Sequence, residues 1–196
     1  MKSLDKEKLL QEIREKGIEI NNIDDLKKID MSYSDIVPII LKYLLDIEDE
    51  SDKDFLVRCL GVKGFRDASI PLINEFYKSH NLFYKWAIGN SLAIIQDDTI
   101  IDELVKIALE KEHGIARQMI VHGLGYFKEE NVKLSLIELL DDEEVVGHAI
   151  FALSQTGDYS LIKYIRPFED CKVNWIKKEA SKAISRLNKY KLNIPE

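Results

Sequence analysis

The sequence predicts an all-α fold, a right-handed α-α superhelix of about five helical pairs behind an N-terminal capping helix, on three observations. Leu60, Leu92 and Leu124 lie 32 residues apart, and Leu72, Leu104 and Leu136 keep the same interval. Self-similarity at a period of a few tens of residues marks supersecondary units stacked one on the next. Nine Gly and four Pro in 196 residues argue against a turn-rich β fold, whereas abundant Leu, Ile, Lys and Glu favour helices. Within each unit the apolar residues recur at three- and four-residue spacing, as in Ile36, Ile39, Ile40, Tyr43 and Leu44.

In chain order, Leu4, Leu9, Leu10 and Ile13 share one face of an amphipathic opening helix, with Ser3 as its expected N-cap and Gly17 as its end. Such a helix suits the lid that an open-ended stack needs. Asn21-Asn22 reads as a turn, followed by a short helical piece around Leu26 and Ile29. The layout is therefore a cap over 1–33, repeats over 34–188 and a tail over 189–196. Pro38 falls near a first helical turn, where a missing N–H does no harm. The acidic run Asp46 to Asp54 resembles a calcium loop only superficially: its sixth position is Ser51 and its twelfth Val57, where that loop needs Gly and Glu. Capping of the next helix accounts for these carboxylates.

The following pairs are Ile70 to Phe76 with Phe83 to Ile95, and Ile101 to Leu109 with Ile115 to Phe127. Val132 to Leu140 then pairs with Val145 to Gln155, and Leu161 to Phe168 with Trp175 to Asn188. Asp97-Asp98, Glu129-Glu130, Asp141 to Glu144 and Gly157-Asp158 sit at the boundaries, where turns and N-caps are needed. After Leu124 the equivalents become Leu153 and Ile184, so the interval loosens.

Composition bounds the function. Apolar residues at 45% and charged residues at 32% exclude wholesale disorder. The net charge of −7 divides unevenly: from Lys172 onward seven basic residues face two acidic, which leaves 21 basic against 33 acidic elsewhere. An acidic body opposes broad phosphate-backbone binding, so nucleic acid is not the expected partner, and the basic final helix reads first as a solvated face. Cys59 and Cys171 stand apart without a Cys-x-x-Cys pair, which suggests a reducing compartment. The start, MKSLDKEKLL, lacks an apolar signal region, and no apolar run reaches membrane-spanning length. The expectation is a cytoplasmic protein with no membrane partner.

The two-helix units, Pro38 and Pro71 in first helices, and the phrases CLG (59–61), GLG (123–125) and ALSQTGD (152–158) resemble the HEAT-repeat family in its short bacterial form. The resemblance spans roughly residues 34–188 and implies a solenoid scaffold for protein partners. Arg58 and Arg117 echo the family's Arg early in second helices, but out of register with one another. The family also includes DNA glycosylases for alkylated bases and HEAT-like subunits of bilin lyases, which the resemblance brings in as alternatives. For the first of these, Trp175 would stack on a base while Lys177, Lys178, Lys182, Arg186 and Lys189 met phosphates.

The register also sorts the second helices by face. At 100° per residue, Leu56, Ile88, Ile120 and Ala149 mark the buried side together with Leu60, Leu92, Leu124 and Leu153. The small residues Cys59, Ser91, Gly123 and Ala152 allow close helix approach. Opposite run Asp54, Trp86, Gln118, Gly147 and Arg58, Asn90, His122, Phe151. The candidate partner-binding patch is Arg58, Trp86, Asn90, Gln118, His122 and Tyr126, mixed polar and aromatic as interface anchors are. Trp86 either joins that patch or tucks its ring against a neighbouring unit.

No catalytic constellation emerges. His80, His113, His122 and His148 fit neither His-Glu-x-x-His nor zinc spacing, and no Gly-rich phosphate loop or Gly-x-Ser-x-Gly elbow occurs. The reading is a non-catalytic scaffold or adaptor that binds a protein on its concave face, with no catalytic residue, metal or cofactor.

Overall fold

A computed structural model describes residues 2–191 of the chain, and among these residues it is all helical, without strands. The α-helices are α1 (Lys6–Glu15), α2 (Val37–Asp46), α3 (Glu50–Leu60), α4 (Ser69–Lys78), α5 (Leu82–Ile95) and α6 (Ile101–Leu109). They continue with α7 (Gln118–Leu124), α8 (Glu130–Glu138), α9 (Val146–Gln155), α10 (Ile162–Ile165) and α11 (Asn174–Lys191). Residues 192–196, most of the expected tail, lie outside the described residues, and α11 takes in residues 189–191. The chain divides at Ile100/Ile101 into two compact units.

In the first unit α1 packs on α2, α2 pairs with α3, α4 pairs with α5, and the second helices α3 and α5 lie against each other. In the second unit α6 pairs with α7 and α8 with α9, while α9 packs between α7 and α11. The repeated leucines explain these contacts. Leu60, Leu72 and Leu92 in one unit and Leu104, Leu124 and Leu136 in the other are all buried, each contributing roughly 1.5–3 kcal/mol by leaving water. Leu56, Ile88, Ile120 and Ala149 are buried as the register requires, and so are Cys59, Ser91, Gly123 and Ala152. The small residues do what small residues are for: Ser91 sits close enough to α3 for its hydroxyl to donate to the Val57 carbonyl at 2.9 Å.

Several local expectations are corrected. Ser3 does not cap α1. Asp5 does, its carboxylate accepting from the Lys8 N–H at 3.0 Å, because a carboxylate one residue before the helix both satisfies an orphan donor and faces the positive end of the dipole. Asn22 and Asp25 form a capping box on a 3-10 turn over Ile23–Lys28. Asp49, Asp97 and Asp158 accept from N–H groups two or three residues on, as the boundary reading requires. Glu129 does not: no side-chain hydrogen bond caps α8.

Two helices are shorter than their apolar patterns suggest. The second helix expected from Ile115 begins only at Gln118, after a 3-10 stretch over Lys111–Arg117 in which Gly114 adopts φ 54° and ψ −140°. The segment expected as one helix over 161–168 holds a four-residue α10 between 3-10 turns. Pro167 falls in the first turn of the later one, where its missing N–H ends the α-helical ladder.

Arg117 explains the late start of α7. It is 0% exposed, one of the largest fully buried side chains in the protein, and not a surface arginine of a ladder. Its Nε donates to the Gly114 carbonyl at 3.1 Å and Nη1 to the Ala108 carbonyl at 2.8 Å, while Nη2 pairs with Asp142 at 2.9 Å and Glu144 at 3.1 Å. One guanidinium thus ties together the end of α6, the 3-10 turn and the loop before α9. Asp142 and Glu144, read from the sequence as boundary residues, are its counter-ions.

Candidate binding surface

The six candidate residues fall three to each unit. In the first, Arg58 is exposed on α3, and Trp86 and Asn90 are half-buried on the adjacent α5. Arg58 is engaged along its own helix by Asp54, with Nε and Nη2 at 2.7 and 3.1 Å from the two carboxylate oxygens. Cys59 on the same helix is buried, which pushes its thiol up to about 12 and keeps it protonated and inert. Nearby, Lys53, Glu75, Asn81 and Tyr84 line a cleft of about 310 Å³. Glu75 is buried and paired to Lys53 at 2.8 Å, and the Tyr84 hydroxyl lies buried with no hydrogen-bond partner among the described residues. Burial, then the Glu75 charge, pushes the Tyr84 pKa up.

In the second unit the column residues meet. The His122 ring on α7 stacks on Phe151 of α9 with centroids 4.0 Å apart and planes within 10°. Tyr126 meets His122 edge-on at 6.4 Å. From α11 the Arg186 guanidinium covers Phe151 at 5.2 Å and donates to the Ser154 hydroxyl. Gln118 is half-buried and committed to the Glu144 carbonyl at 3.0 Å, so it braces the same loop that holds Arg117.

One turn along, Trp175 lies edge-on to His148 at 5.9 Å. A Cβ placed on Gly147 would fall far inside contact distance of Cη2 and Cζ3 of the Trp175 ring. The exposed column therefore carries a glycine at this level so that the next helix can lay a tryptophan there. The Nδ1 of His148 is buried with no hydrogen-bond partner among the described residues, and burial, with a smaller contribution from His122, lowers its pKa to about 4. Burial lowers His122 as well, against the opposing charge of Glu179. Both rings are therefore neutral at pH 7, which permits the stack on Phe151 without an unpaired buried charge.

The sequence puts His122 and Tyr126 in the candidate patch, places Phe151 in the exposed column without adding it to the patch, names Trp175 and Arg186 only for the nucleic-acid alternative, and gives no role to His148. A signal for Phe151 existed, since it occupies the His122 column one unit on. Gly147 was a second signal: it interrupts a column that elsewhere holds Asp54, Trp86 and Gln118, and the vacated volume is filled from another helix. Gly147→Ala is expected to cost about 1–3 kcal/mol by overpacking, and most of that loss should vanish on a Trp175→Ala background. Denaturant melts of the four proteins in this cycle measure the coupling; additive losses would separate Gly147 from Trp175.

Among the described residues no group of three or more His, Cys, Asp or Glu is placed to hold a metal ion, and no helix is long and apolar enough to cross a membrane. Comparison of the chain with known protein families and with curated proteins finds no match.

Proposed function

We propose that the protein is a HEAT-like α-α superhelical scaffold without catalysis of its own, which holds a protein partner against the exposed side of its second helices. The observation that carries this reading is the contrast between two sides of those helices. Their buried columns are nearly uniform from unit to unit. Their opposite columns vary, and in the second unit the rings of His122, Tyr126 and Phe151 meet one another, where rigid amphipathic rings supply contact area at low entropic cost. Two of the buried charged groups, Arg117 and Glu75, are held in internal pairs, which supports a structural role for them.

The test is capture of a partner from the native cell with the full chain, followed by affinity measurement on Tyr126→Ala and Trp86→Ala. Tyr126 is 43% exposed, and its truncation is expected to weaken binding by about 1–2 kcal/mol, the range of an interface anchor, with an unchanged circular dichroism spectrum. Unchanged affinity in both variants would move the binding site off these helices.

A further inference from the structure

We propose that the second unit binds an acidic polypeptide segment that anchors one apolar side chain in the cavity beside Trp175 and lays its carboxylates along a basic stripe of α11. The inference rests on the scaffold reading and names the chemistry of the partner.

The stripe follows from helical spacing. Trp175, Lys178, Lys182, Arg186 and Lys189 succeed one another at three or four residues, so they share one side of α11. That side borders α9, since Arg186 reaches over Phe151 and Trp175 lies over Gly147, while Ile176, Ala180, Ala183 and Leu187 form the buried side of α11. Lys178, Lys182 and Lys189 are exposed, whereas Arg186 is half-buried and held by Ser154, so one charge of the stripe is fixed in place. Lys182, Arg186 and Lys189 line a shallow cleft of about 380 Å³ with the hydroxyls of Ser181 and Ser185. Glu179 is the one carboxylate within α11, and it sits 3.7 Å from Lys182.

At the start of the stripe the surface turns apolar. Leu140, Val146, Phe168 and Ile176 surround Trp175 in a cavity of about 440 Å³, within the range of roughly 300–1,000 Å³ at which clefts hold ligand groups. Trp175 remains 51% exposed, although a ring of this size usually finds cover. Along the helix, at about 1.5 Å per residue, Lys182 lies roughly 10 Å from Trp175 and Lys189 roughly 21 Å. An extended chain advances about 3.3 Å per residue, which places the partner's carboxylates about three to six residues from its anchor.

The same geometry disfavours a nucleic acid. One face of the His122 ring and one of the Phe151 ring are taken by their mutual stack, and Arg186 covers Phe151, so few ring faces remain for bases. Asp141 and Glu143, both exposed, also line the anchor cavity and would repel a phosphate there. A peptide that presents carboxylates only along α11 avoids them.

The experiment is selection of a displayed library of random peptides of about twelve residues, long enough to span cavity and stripe, on the full chain and on Lys182→Glu/Lys189→Glu. Both lysines are exposed, so circular dichroism should match between the two proteins. The wild type is expected to enrich peptides with Leu, Ile, Phe or Trp followed about three to six residues later by two or more Asp or Glu. A synthetic peptide of that kind should bind the double variant about tenfold or more weakly, and should weaken similarly when its anchor becomes Ser or its acids become Asn. Enrichment of peptides lacking either feature, no enrichment at all, or affinity unchanged in the double variant overturns the proposal. So does tighter binding of oligothymidylate than of the peptide at the same salt. Peptides that ignore the lysine reversals but are lost with Tyr126→Ala overturn this inference alone and leave the scaffold reading standing.

Discussion

Replacing Arg117 by methionine is expected to destabilise the protein by about 3–5 kcal/mol, the loss seen when one member of a buried ion pair is removed. The cause is what remains. Asp142 is itself buried, and without the guanidinium it keeps a desolvated negative charge, while the Ala108 and Gly114 carbonyls lose their donors. Lysine is not expected to rescue the site, because a single ammonium cannot supply the planar fork that reaches two carbonyls and two carboxylates at once. Urea denaturation of Arg117→Met and Arg117→Lys measures the effect, and hydrogen exchange over residues 106–118 and 139–146 locates it. A loss below about 1 kcal/mol would mean that the pairs are solvated like surface salt bridges.

Acidification is expected to remove about 2–3 kcal/mol of stability through His148, after discounting for the part of its ring that reaches solvent. The folded state lowers this histidine from its ordinary value of 6.5 to about 4. Between those values the unfolded chain binds a proton that the folded chain refuses. Stability is therefore complete above about pH 6.5, falls as the pH drops through the window, and levels off below about 4. His122 is lowered in the same direction by burial and adds to the slope. The carboxylates lowered by hydrogen bonds, such as Asp30 and Asp158, lose their contribution below the ordinary carboxylate value of 3.8 and so act in a more acid range. Thermal melts of wild type and His148→Leu between pH 4 and 7 isolate the effect; parallel profiles would show that His148 protonates freely in the fold.

Comparison of His122 with Arg117 shows how much of this was legible in the chain. Both were singled out from the sequence as polar residues of second helices. His122 lies where its column predicts, beside Phe151 from the same column. Arg117 lies where no column could place it, because its partners Ala108, Gly114, Asp142 and Glu144 come from three separate segments. The candidate surface divides in the same way. Tyr126 is placed by helical spacing on a helix expected to reach Phe127, yet α7 ends at Leu124 and Tyr126 lies in the turn beyond it, whereas Trp175 is read from the sequence only as a base-stacking residue of an alternative.

The sequence by itself determined that the chain is helical, roughly where its helices lie, and which side of each second helix is buried. Those features depend on a 3.6-residue period and on leucine's transfer out of water, both set within a few residues. The tertiary structure alone decided where α7 begins, which charges are paired out of solvent, and that Trp175 fills the space above Gly147. Each of these requires groups distant in sequence to meet at a stated distance, and spacing along one helix carries no information about what another helix brings to it.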